Sequence, residues 1–185
     1  VNSPKSILGR LAGIVLASLT SRTSRTPRTE PGRSAASGDE GVVEPGRQRG
    51  SETVRLDPGR ITRLQVDYAP EKDGAPDSGE VIWTWVPYEE NDGRGKDRPV
   101  LVIGRQSADR VYAVRMTSKA HERDRDYLPI GTGGWDSQGR PSWVDIEQLY
   151  SVHHAGMRRE AAILDRQRYD VVADALVRRY GWAVR

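Results

Sequence analysis

Residues 100–103 are Val-Leu-Val-Ile, four apolar side chains in succession inside the segment RPVLVIG that runs from Arg98 to Gly104. Successive side chains of a strand point to opposite faces, so this run has to be covered on both sides. It belongs in the middle of a sheet with an apolar layer on each face. Shorter apolar runs at 80–86, 111–117, 127–130 and 142–146, and a brief one at 149–153, are separated by turn residues and also read as strands. The texture changes near the C-terminus. Tyr169, Val172, Ala173, Leu176 and Tyr180 recur at helical spacing after Asp165, a good cap, and Gly181 ends the pattern. Arg178 and Arg179 suit the negative end of the helix dipole. The predicted fold is mainly β with a C-terminal helix, a small barrel with a helical lid.

Upstream of this region the chain is poor in apolar residues. Residues 20–60 are rich in Ser, Thr, Arg, Pro, Gly and Glu, and such a stretch buries too little surface to offset backbone entropy. A disordered, basic linker is expected there, in which Arg22, Arg25, Arg28 and Arg33 have only Glu30 among them. The apolar run at 7–19 is interrupted by Arg10 and falls short of the ~20 residues of a membrane span. It reads as an upstream amphipathic helix, with a processed targeting segment as the alternative. Residues 61–68 (ITRLQVDY) alternate imperfectly as an edge strand and lead into a Pro/Gly-rich linker. The expected organisation is therefore an N-terminal segment over 1–60, a connecting segment over 61–78 and a folded domain over 79–185.

The 29 Lys and Arg residues exceed the 26 Asp and Glu, for a net charge of +3. A surplus this small fits an anionic partner and fits an evenly solvated surface equally well. With no cysteine there is neither a disulfide framework nor a thiol nucleophile. His121, His153 and His154 lack the spacing of a zinc site, so neither a metal nor a cofactor is expected.

Candidate site residues come from strands and their ends. Arg98 opens the most apolar strand after a glycine-containing loop, where its guanidinium can meet a phosphate or form an ion pair with Glu89, Glu90 or Asp97. Arg115 and Thr117 alternate onto one face, followed by Ser118 and Lys119, a set of hydroxyls and cations suited to phosphate oxygens. Period-two alternation also groups Trp143, Asp145 and Glu147, either as an acid-base pair or as a solvated strand face. Lys96 and the loop residue His121 complete the candidate nucleic-acid contacts.

The order of these segments carries more than any one of them. GEVIWTWVPYEENDGRGKDRPVLVIG, then VYAVRMTSK, then SWVDIEQLYSV and the Asp-capped helix resemble the MazF/PemK toxins over about residues 79–179. The resemblance implies an SH3-like barrel (CcdB/MazF/PemK-like), a homodimer and a cytoplasmic location. It also implies metal-independent, sequence-selective cleavage of single-stranded RNA and a small antitoxin as partner. Arg98 and Thr117 would then hold and neutralise the phosphate while Glu147 takes or positions the proton of the ribose 2′-hydroxyl. Asp145 departs from the pattern, standing where some members have an arginine. That departure keeps open a catalytically weak barrel that binds DNA, RNA or a protein, and a CcdB-like gyrase poison is the further rival.

Overall fold

A computed structural model of the protein describes residues 45–90 and 92–185. The segment at 7–19 and most of the expected linker lie outside the described residues. Among the described residues nine strands, β1 (Val54–Leu56), β2 (Gln65–Val66), β3 (Glu80–Pro87), β4 (Gly95–Arg105), β5 (Arg110–Thr117), β6 (Tyr127–Gly131), β7 (Ser142–His153), β8 (Met157–Ile163) and β9 (Ala183–Val184), accompany one α-helix, α1 (Arg166–Tyr180). Seven of the strands form the main sheet, in the order β1-β7-β5-β4-β3-β8, with β6 also on β7.

β4 is central, as its double-sided apolar pattern requires. Leu101 and Ile103 join a core that includes Val114, Met116, Tyr169, Val172 and Leu176. Val100 and Val102 face the other way, into a second core with Ile82, Val111, Ala113, Tyr150 and Val152. α1 covers the first of these faces. Its N-terminus is capped by Asp165, whose carboxylate accepts from the Arg168 N–H, and Gly181 closes it with φ +70°. Beyond the helix the chain returns to the connecting segment, where β9 pairs in parallel with β2 and the Trp182 indole donates to the Ile61 carbonyl. Only two residues of the expected edge strand at 61–68 are paired, and they join β9 rather than the main sheet. Leu64 and Val66 still reach the core. Gly104 is what lets this segment lie so close, because a Cβ there would stand 2.4 Å from the Gln65 carbonyl oxygen.

The sheet does not close into the expected barrel. β1 pairs with β7 and β8 with β3, and no ladder joins β1 to β8 among the described residues. The physical reason lies in how the gap is spanned. The Thr53 and Thr84 hydroxyls are 2.8 Å apart, Thr84 donates to the Gly156 carbonyl, and Gly46 packs against the same atoms with φ +85°. Side chains and a glycine corner stand there in place of a backbone ladder.

Besides β9, two strands were not expected. β8 (MRREAAI) lacks an alternating apolar pattern and is placed by pairing along β3. β1 (VRL) lies in the stretch read as linker and is recruited by the backbone of Leu149–Ser151. The runs at 142–146 and 149–153 prove to be one strand, β7. Among the described residues no helix is long and apolar enough to cross a membrane.

The helix should contribute to stability chiefly through its buried face. Leu176→Ala is expected to lower the unfolding free energy by about 3 kcal/mol, against about 1 kcal/mol for removal of the cap in Asp165→Ala. Urea unfolding of both variants checks the ranking.

Candidate active site

β7 changes register where the candidate residues sit. Val114 of β5 faces Leu149, but the next residue, Arg115, faces Asp145, so residues 146–148 are looped out of the ladder. The Asp145 carboxylate accepts the Glu147 N–H at 3.1 Å and stabilises this shift. Simple alternation therefore fails here. Asp145 is turned inward and buried, whereas Glu147 is exposed.

Inside the fold, Arg115 and Asp145 form an ion pair at 2.5 Å, with side chains 16% and 3% exposed. Arg115 also donates to the Tyr127 hydroxyl at 3.0 Å and lies 3.9 Å from Glu89. Burial works against its charge, but the Asp145 carboxylate together with Tyr150 and Tyr127 outweighs burial and raises the pKa of the guanidinium. Asp145 thus spends its negative charge on Arg115. For the same reason, Arg115 is not a free phosphate ligand.

Glu147 accepts from Arg179 at the end of α1, at 2.5 Å, and Arg179 also pairs with Asp126. Around them lies a cleft of about 1120 Å³ whose lining includes Trp85, Tyr127, Asp145, Glu147, Gln148 and Arg179, with β1 along one wall. Gln148 links its sides by donating to Glu89 and accepting from the Tyr150 hydroxyl. A second cleft contains Arg94, Arg98 and Arg115 and shares Pro87, Tyr88 and Glu89 with the first. The two are therefore contiguous.

Arg98 makes no side-chain hydrogen bond or ion pair among the described residues. Of its possible acidic partners, Asp97 is engaged with Arg158 at 2.5 Å and Glu89 with Gln148 and Arg115, while Glu90 lines the same cleft without bonding to Arg98. Thr117, the last residue of β5, accepts the Lys119 N–H at 3.1 Å and lines neither cleft. Continuing the Val100–Arg115 register by two residues sets Thr117 across from Arg98. Lys96 is exposed on β4, and Ser118 and Lys119 are exposed in the turn after β5. His121 stacks on Tyr127 with ring centroids 3.6 Å apart, at the rim of the larger cleft.

The structure thus groups Arg98 with Arg115, and Glu147 with Asp145, on two contiguous clefts, and leaves Thr117 and Lys119 at the strand end beside them. Tyr127, Trp85, Gln148 and Arg179 are additions. Tyr127 had only its place at the start of a strand to single it out, and Arg179 read as a helix-end cation alone.

Residues 77–179 match the model of the PemK-like, MazF-like toxins of type II toxin-antitoxin systems. The chain belongs to this family. Among solved structures it is similar to a MazE-MazF complex from Deinococcus radiodurans, with 19% identity, 58% of this chain and 96% of that one covered, and a TM-score of 0.45. It is also similar to an endoribonuclease in complex with its cognate antitoxin from a mycobacterial species, at 16% identity, the same two coverages and a TM-score of 0.45. No curated protein matches it.

The buried pair makes a sharp demand on stability. Asp145→Ala leaves the Arg115 guanidinium without its counter-charge and should cost about 3–5 kcal/mol, whereas Arg115→Met with Asp145→Leu should recover most of that loss. Denaturant midpoints of the two variants test this, and a stable Asp145→Ala protein would show that the pair is dispensable.

Proposed function

We propose that this chain is the toxin of a type II toxin-antitoxin pair and a metal-independent, sequence-selective endoribonuclease acting on single-stranded RNA. The observation that carries the reading is an arginine with no hydrogen-bond or ion-pair partner among the described residues, Arg98, on a cleft continuous with the one that holds Glu147. A guanidinium held ready in this way stabilises charge as it develops on a phosphorane, usually the largest catalytic contribution. Family membership supplies the chemistry to which the geometry is fitted, and one solved relative is itself described as an endoribonuclease.

In this reading the RNA backbone runs along the shared wall of Pro87, Tyr88 and Glu89. Glu147 takes the proton of a ribose 2′-hydroxyl, and the 2′-oxygen bonds to the adjacent phosphorus. The bond from phosphorus to the 5′-oxygen breaks, and that oxygen leaves with the electron pair and is protonated by water. Arg98 and Thr117 hold the phosphate oxygens. Lys96, Ser118 and Lys119 contact the flanking backbone, while the His121–Tyr127 stack offers a face for bases. Arg179 orients the Glu147 carboxylate. A small antitoxin that covers these clefts neutralises the toxin, and two copies of the chain form the working dimer.

A binding protein without cleavage is the second reading. It is favoured by Asp145, which adds a carboxylate where the family pattern admits a cation, and by the Arg179 contact that already engages Glu147.

The two readings separate on incubation of the purified protein with labelled single-stranded RNA in EDTA. Defined fragments are expected, with cleavage slowed about a hundredfold or more in Arg98→Ala and by a similar order in Glu147→Gln. Thr117→Ala should lose less, because it removes a single neutral hydrogen bond. Intact RNA that is nevertheless retained by the protein would leave the binding reading in place.

A further inference from the structure

Five arginines line the two clefts: Arg55, Arg94, Arg98, Arg115 and Arg179. Three of them are spent on protein carboxylates, Arg94 on Asp92, Arg115 on Asp145 and Arg179 on Glu147 and Asp126. Arg98 and Arg55 make no ion pair among the described residues. Arg98 belongs to the matched toxin region. Arg55 does not, since the family match begins at residue 77.

The position of Arg55 follows from the strand it stands on. β1 pairs antiparallel with β7, and the register sets Arg55 directly across from Tyr150. Directly opposed residues of such a pair project to the same face, which here is the face of Val100, Ala113 and Tyr150. Burial pushes the pKa of the Tyr150 hydroxyl up, and Arg115, Arg55 and Arg98 all oppose that rise. One hydroxyl therefore senses all three guanidinium groups. Arg55 itself is exposed.

The strand that carries Arg55 is firmly attached. Arg110 donates to the Glu52 carbonyl at 3.1 Å, to the Gly50 carbonyl at 3.2 Å and to the Ser151 hydroxyl at 3.0 Å. Together with the Thr53–Thr84 contact, these bonds fix the segment that leads into the strand, and the strand itself is held by its pairing with β7. The cation is presented on ordered backbone rather than on a trailing tail.

We infer that Arg55 is a phosphate-binding residue of the RNA site, contributed by a strand upstream of the toxin domain, which supplies the positive charge that Arg115 gives up to Asp145. The inference rests on the ribonuclease reading for the identity of its ligand. It extends the site along β1 and assigns the upstream segment a direct part in substrate binding. It also offers a physical answer to the Asp145 departure, because the cation missing from β7 returns from the neighbouring strand.

Binding and cleavage are measured in parallel on the full chain. The binding probe is a labelled single-stranded RNA whose 2′-hydroxyls are methylated, so that it lacks the nucleophile, titrated over a range of salt concentrations. The cleavage probe is the unmodified RNA. For the wild-type chain log K should fall linearly with log salt, and Arg55→Ala should flatten that slope by about 0.7, the value of one single-strand phosphate contact. A loss of affinity of about fivefold at moderate salt is expected alongside. Arg55→Lys should keep the slope. Arg63→Ala, an exposed arginine that lines neither cleft, controls for the loss of one net charge and should leave the slope unchanged. Thermal unfolding of each variant verifies that β1 stays in place.

The outcomes are distinct. Wild-type cleavage with an unchanged slope in Arg55→Ala overturns the role of Arg55 and leaves the ribonuclease reading standing. Binding with a slope that depends on Arg55, but without cleavage, supports the phosphate contact and removes the ribonuclease reading. A wild-type chain that neither binds nor cuts RNA overturns both.

Discussion

A guanidinium taken out of water has to be given a counter-charge, and the arrangement of this site follows from how that is done. Arg115 reaches the interior on β5, and β7 answers with Asp145 by slipping three residues in its register. The slip turns Glu147 outward to meet Arg179 and places Gln148 between Glu89 and Tyr150. An ion pair of this kind adds little net stability over a well-packed apolar pair, because desolvation consumes most of its attraction. Its value here is positional. It sets which carboxylate faces the protein and which faces the cleft.

The same pair settles how negative the site really is. Taken singly, Asp145 would repel a phosphate. Neutralised by Arg115 at 2.5 Å and largely screened from solvent, it contributes far less to the field in the cleft than its formal charge suggests. What the cleft offers an anion is then decided by those arginines that are not already engaged with carboxylates. This is a different quantity from the net charge of +3 on the chain.

Much of the fold was legible in the residues themselves, and the parts that were not share a cause. The central strand was announced by Val100–Ile103, and the helix by its cap, its apolar spacing and Gly181, because these signals are local and periodic. β8 and β1 were silent because neither has a periodic apolar face. Both are held by backbone groups of a neighbour distant in the chain. The expected barrel failed on the same ground, since closure depends on whether the two outer strands meet, and no local pattern encodes that. Arg98, Thr117 and Glu147 were individually ambiguous and drew their weight from the order of the segments around them. The Arg115–Asp145 pair joins positions thirty residues apart through a register shift, whereas alternation along β7 had placed Asp145 and Glu147 on one face.

The clasp formed by Thr53, Thr84, Gly46 and Gly156 has a consequence for how the molecule behaves among its own copies. Without β1, the backbone N–H and C=O groups of Leu149–Ser151 would stand open along the side of a long, largely apolar strand, a template for pairing with any extended chain. With β1 seated, the outer edge of the sheet at that point is three residues long, carries an arginine at its centre and is followed by Asp57 and Pro58. A short, charged edge that ends at a proline is a poor substrate for strand addition. The upstream segment therefore also shields the sheet against uncontrolled self-association, and it does so with hydrogen bonds and one glycine corner rather than with a larger core.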